Sequence, residues 1–180
     1  MNRRLFTRVL FACLLPFMVQ DTQAVFRFAQ LTDIHLSPNN PNPTEDLLRS
    51  IAQINATDSI DFVLVTGDIA EEGDRTTMEK VKSCLDLLKV KYYVVLGNHE
   101  TKWSDSGCTA FGEIFGGERF EFEQKGFLFL GFTSGPLMRM AYGHVVPPDI
   151  TWMTEMMDRH NAGNSRTDKP VLLGTPSSTA

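Results

Sequence analysis

The chain has 180 residues, of which 42% are hydrophobic and 22% charged, a balance that excludes a disordered or fibrous protein and leaves room for one domain with one core. Its formal net charge of −5 argues against nucleic-acid binding by bulk electrostatics. Residues 1–24 read as a separate unit. Arg3, Arg4 and Arg8 give a basic start, residues 9–19 an apolar stretch interrupted by Pro16, and residues 20–24 a polar end at Thr22-Gln23-Ala24. That is the three-part layout of a secretory signal peptide, and its apolar part is too short for the roughly 20 residues a membrane span needs. Cleavage near Ala24 would export a mature domain of residues 25–180, periplasmic or secreted. It would remove three arginines and one aspartate and take the formal net charge to −7. In an oxidising compartment Cys84 and Cys108 could pair, although Cys84 falls in a helical pattern and reads as a small buried residue.

The predicted elements follow in order. An apolar strand over residues 25–32 ends at Asp33-Ile34-His35. The proline-rich loop 37–43 breaks regular structure, and Thr44 is the expected N-cap of a helix carrying Leu47, Leu48, Ile51 and Ile54. Residues 62–66 are apolar at nearly every position, which predicts a strand buried on both faces. That strand ends at Gly67-Asp68, followed by the acidic loop Glu71-Glu72-Gly73-Asp74. Met78, Val81, Cys84, Leu85 and Leu88 stripe the next helix, with Lys80, Lys82 and Lys89 on its solvated side. A third strand, 92–96, ends at Gly97-Asn98-His99-Glu100.

The order β-α-β-α-β predicts a mostly parallel sheet with right-handed crossovers. Beyond it, Phe120, Phe122, Phe127, Phe129 and Phe132 lie in two runs around Gln124-Lys125-Gly126, the pattern of an antiparallel hairpin. Residues 136–148 read as a loop. Asp149 is placed to cap a helix whose stripe of Ile150, Trp152, Met153, Met156 and Met157 belongs to the core. A polar linker, 161–168, leads to a last strand over 170–173. Neither an internal repeat nor a second domain boundary is visible.

Three apolar strands that each end on polar residues bring those residues to one sheet edge, where α/β proteins hold their ligands. Asp33 and His35, two apart, can converge on one ion. A carboxylate with an imidazole suits iron, zinc or manganese. Asp68 can place one oxygen on each of two ions, Asn98 adds a neutral oxygen, and His99 a titratable ring. Each piece alone is common; the three endings in order are specific.

Asp33-Ile34-His35, Gly67-Asp68 and Gly97-Asn98-His99-Glu100 resemble the first three signature blocks of the calcineurin-like metallophosphoesterases, a family that includes purple acid phosphatases and cyclic-nucleotide phosphodiesterases. In order of elements the resemblance covers residues 28–173. It implies an α/β fold in which a β-sandwich is flanked by helices, four layers in the order αββα. By the same resemblance Asp33 and His35 hold one metal, Asp68 bridges both, Asn98 holds the second, and His99 assists as catalytic acid. The implied cofactors are two divalent or trivalent ions, iron, manganese or zinc. The implied partner is a small phosphate mono- or diester, hydrolysed by a metal-activated water.

The family's two later blocks, a histidine after a later strand and Gly-His-x-His, have no counterpart. The strand at 169–173 runs into Gly174-Thr175-Pro176, and no histidine follows His160. His144 and His160 do not end buried strands and read as surface or loop histidines. The expectation is therefore a C-terminally incomplete domain with reduced or no activity, whose phenylalanine-rich hairpin lacks its partners. The alternative is a non-catalytic exported metal-binding or interaction domain derived from the same fold. A nucleotide-binding fold fits less well, because no Gly-x-Gly-x-x-Gly or Gly-Lys-Ser/Thr loop follows any strand.

Overall fold

A computed structural model describes residues 26–102, 104, 106, 108–134, 143–162 and 171–174. The signal-peptide reading falls on residues outside this set. Strands β1 (Phe28–Leu31), β2 (Phe62–Thr66) and β3 (Lys91–Val95) form a parallel sheet in the order β1-β2-β3, with Ala29 beside Val63 and Val63 beside Tyr92. Helices α1 (Asn42–Ala56) and α2 (Arg75–Leu85) make the two crossovers. Because side chains alternate along a strand, this register puts Ala29, Leu31, Val63, Val65, Tyr92 and Val94 on one face. There they pack with Leu47 and Ile51 of α1 and with Met78, Val81 and Leu85 of α2.

Two local signals act differently from expectation. Helix α1 starts at Asn42, with Pro41 at its cap and Pro43 in its first turn, so Thr44 lies inside the helix. Proline's preset φ suits a first turn, where its missing N–H has no partner to lose. In α2 the cap is Asp74, whose Oδ1 accepts from the Thr77 N–H at 2.9 Å. After β3 come α3 (Asn98–Lys102) and α4 (Thr109–Phe115), neither of which the hydrophobic pattern had announced. Helix α4 adds the fully buried Phe111 to the same core.

The other face of the sheet, Phe28, Phe62 and Tyr93, meets a second sheet. Strands β4 (Phe120–Gln124) and β5 (Phe127–Gly131) are the antiparallel hairpin, and β6 (Val171–Gly174) runs parallel to β5. Rings interlock between the sheets: Phe62 to Phe122 and to Phe129 are each 5.0 Å between centroids, and Tyr93 stacks on Phe122 at 3.8 Å. The hairpin is therefore not without partners. Its aromatic face is covered by β2 and β3, which also explains why β2 is apolar at nearly every position. Gly131 makes room for this packing, because a Cβ there would meet the Phe120 ring at 2.1 Å.

Helix α5 (Pro147–Ala162) lies on β5, with Trp152, Met153, Met156 and Met157 against Leu128 and Leu130. Ile150, expected in that stripe, is instead exposed. Asp149 does not cap this helix; it sits buried in the first turn and accepts from Arg119 Nε at 2.6 Å. A partner 30 residues away wins over the local cap because a buried carboxylate needs a charge beside it. Cys84 and Cys108 are both free thiols, and Cys84 is the small buried residue its helical position suggests. Among the described residues no helix is long and apolar enough to cross a membrane.

Candidate metal centre

Parallel strands release their following loops on the same edge, and the loops after β1 and β2 are laced together there. The His35 N–H donates to the Asp68 carbonyl at 2.9 Å and the Leu36 N–H to the Ile69 carbonyl at 3.0 Å, while the Glu71 N–H returns to the Leu36 carbonyl at 2.9 Å. Asp33, His35 and Asp68 all adopt left-handed backbone, with φ of 53°, 49° and 51°. Non-glycine residues rarely rest there, at a cost of about 1–3 kcal/mol each. Three such residues on one edge mark a surface held in shape by its neighbours.

Ligand atoms of Asp33, His35 and Asp68 lie within 4.8 Å of one another, and the same is true of His35, Glu71 and His99. The two sets share His35, and the His35 and His99 rings stand edge to face at 4.6 Å. Asp68 is buried, and its Oδ1 accepts from the His99 N–H at 3.0 Å. This contact needs Gly97: a Cβ at that position would fall 2.1 Å from Asp68 Oδ1 and 2.2 Å from its backbone nitrogen. Gly73, in left-handed backbone, likewise makes room for the His99 carbonyl.

Asn98 opens α3, and its side-chain oxygen is buried with no hydrogen-bond donor. A buried acceptor left unpaired is rare, and here it stands on the edge where the carboxylates collect. His99 Nδ1 lies 2.6 Å from the Glu71 carbonyl. A carbonyl only accepts, so Nδ1 carries the proton and Nε2 is the nitrogen free to exchange one.

Glu100 is the residue whose role the sequence hid. It is fully buried and receives four backbone N–H groups. Its Oε1 accepts from Ile69 and Ala70, and its Oε2 from Asp68 and Gly97, at 2.7–3.0 Å. One carboxylate thus ties the loop after β2 to the loop after β3. Burial pushes its carboxyl above the ordinary glutamate range, and the charge of Asp68 pushes the same way, against the pull of the N–H donors. The only sequence signal for it was its place in Gly97-Asn98-His99-Glu100.

Every predicted site residue, Asp33, His35, Asp68, Asn98 and His99, is on this edge. Glu71, read from sequence only as part of an acidic loop, joins them. His144 is exposed. His160 is buried on α5, where its Nδ1 lies 3.3 Å from Glu123, in contact with the second sheet.

The chain also resembles known proteins in sequence. Over 118 residues the chain is 27% identical to the uncharacterised protein YvnB of Bacillus subtilis, covering 57% of this chain and 9% of that one. It is 30% identical over 83 residues to a probable cyclic nucleotide phosphodiesterase of Xenorhabdus bovienii, covering 41% and 34% respectively. It is 24% identical over 132 residues to a 3',5'-cyclic-nucleotide phosphodiesterase of Nostoc, covering 69% and 48%. The chain thus spans less than half the length of each of these relatives. Residues 26–168 match the pattern that defines the calcineurin-like phosphoesterases, and the chain belongs to that family.

Proposed function

We propose that this edge is the first part of a two-metal centre that hydrolyses phosphate esters, with Asp33, His35, Asp68 and Asn98 as metal ligands and His99 as catalytic acid. The observation that carries the reading is the buried, donorless oxygen of Asn98 on the same sheet edge as a cluster of one imidazole and two carboxylates. That donor set, hard oxygens with an imidazole, fits manganese, iron or zinc. Bound metals would bring a water's pKa towards neutrality and offset the charge of the phosphoryl group.

The rest is done by the chain itself. Asp68 is pinned by the His99 N–H through one oxygen, which fixes where the other points. His99 keeps its Nδ1 proton on the Glu71 carbonyl and so presents Nε2, which when protonated can hand a proton to the leaving oxygen. Glu100 and Gly97 hold the two loops at the spacing these contacts require. The names of the relatives favour phosphodiesters, cyclic nucleotides among them, as the substrate class.

Helices α1, α2 and α4 on one sheet and α5 on the other support a four-layer αββα domain. The short span of the relatives that this chain covers supports the view that further donors come from sequence beyond it. The layout of residues 1–24 supports export. A second reading is a non-catalytic metal-binding domain, in which the same cluster holds an ion without turnover. Turnover of bis(p-nitrophenyl) phosphate with added manganese separates the two. In the full-length protein, which would supply the further donors, the enzyme reading expects turnover that His99→Ala reduces at least tenfold; manganese binding without turnover there favours the second.

A further inference from the structure

Two histidines on this edge face the same residue from different sides. The Glu71 carbonyl takes His99 Nδ1 at 2.6 Å, and the Glu71 carboxylate lies 3.0 Å from His35 Nδ1. His35 Nδ1 is shielded from solvent and has no aligned hydrogen-bond partner among the described residues. The half-exposed Glu71 carboxylate, 3.0 Å away, is thus the group at hand. The opposite ring nitrogen of His35, Nε2, faces Asp33 at 3.9 Å.

A metal-binding histidine commonly gives its second N–H to a carboxylate or carbonyl. That fixes its tautomer and ring angle, and loss of such a partner costs about 10–100-fold in metal affinity. We propose that Glu71 is the positioning residue for both histidines: its carboxylate sets His35 and its carbonyl sets His99, so that both rings carry the proton on Nδ1 and turn Nε2 inward. One residue thereby orients a metal ligand and the catalytic acid together. The backbone supports it, because the Glu71 N–H is held by the Leu36 carbonyl at 2.9 Å, one residue beyond His35.

This inference rests on the metal-centre reading, and it competes with one in which Glu71 itself binds metal, since its oxygen also lies within the His35–Glu71–His99 cluster. The test uses the 180-residue chain, with 15N-edited NMR of its histidines in the metal-free state and manganese titration by calorimetry. Both His35 and His99 are expected as the Nδ1–H tautomer, the less common form of a free neutral imidazole. Glu71→Ala should return His35, but not His99, to the Nε2–H form and weaken manganese binding by about 10–100-fold. Glu71→Gln keeps an accepting oxygen, and should hold the His35 tautomer and stay within about threefold of the wild-type affinity.

Equal loss in the Gln and Ala variants would make Glu71 a ligand and overturn the proposal. So would an Nε2–H His35 in the wild type, or an Ala variant that is merely less stable with affinity unchanged. Failure of the wild-type chain to bind manganese would sink the metal-centre reading while the tautomers still report on Glu71.

Discussion

The two ends of strand β2 carry aspartates in opposite situations. At its entry, Asp61 accepts from the Arg27 N–H at 2.9 Å and from Gln124 Nε2 at 3.2 Å, and lies 3.3 Å from Lys125 Nζ. The Arg27 N–H foremost, with Lys125 and Gln124, holds the Asp61 carboxyl below the ordinary aspartate range. At the exit, Asp68 is buried, sits in left-handed backbone and lies beside other acids and imidazoles. Left-handed residues occur near the entry too, but Lys125 is explained by the tight Lys125-Gly126 hairpin turn, whereas Asp33, His35 and Asp68 follow no such turn rule. One end pairs its polar groups with donors and a cation and stabilises the fold; the other crowds two carboxylates and an imidazole together, the arrangement on which the proposed metal centre rests.

If that division is right, the ends should fail separately. The largest effect on stability belongs to the packed region: Phe129→Ala removes a ring that stacks on Phe122 and meets Phe62 and Phe26 edge-on. It should cost about 3–5 kcal/mol in urea unfolding, with the manganese affinity of the folded fraction unchanged. A change in affinity of tenfold or more would mean that the regions are not separate.

Glu100→Gln strikes the exit end without touching a candidate ligand. Whichever carboxylate oxygen becomes the amide nitrogen, two backbone N–H groups lose their acceptor, at about 1–3 kcal/mol. The pH dependence has a definite sign. A carboxyl raised above its unfolded value holds its proton longer in the folded state, so its contribution is greatest at low pH and declines as pH rises through the raised value. Urea midpoints at stepped pH should show that decline in the wild type and lack it in Glu100→Gln.

The smallest effect is expected at the entry. Asp61→Asn should lower stability slightly at neutral pH. Because the Asp61 carboxyl is depressed, its contribution is present above the ordinary aspartate range and lost as pH falls through the lowered value. The stability difference between variant and wild type should therefore close at strongly acid pH, and a difference that widens in acid would reverse the assignment.

The comparison also shows which parts of the molecule could be read from residue order. Strand endings were legible because a polar group closing an apolar run has few structural explanations, and three in sequence have fewer. The aromatic interface was half legible: alternation placed Phe120, Phe122, Phe127 and Phe129 on a hairpin, but not on the far side of β2. Partners distant in sequence were not legible. Asp149 looked like a local cap until Arg119 was found beside it, and Glu71 was one acid of a loop until two histidines were found near its oxygens. Left-handed backbone at Asp33, His35 and Asp68 could not be foreseen either, because aspartate and histidine tolerate that conformation without requiring it.

The central claim is that the exits of β1, β2 and β3 together form a metal centre. Calorimetric titration of the chain with manganese, in wild type and in Asp68→Ala, tests it most directly. The account predicts saturable binding to the wild type that Asp68→Ala abolishes while leaving the aromatic interface folded by near-ultraviolet circular dichroism. Equal binding by both proteins, or no binding by a folded wild type, would contradict it.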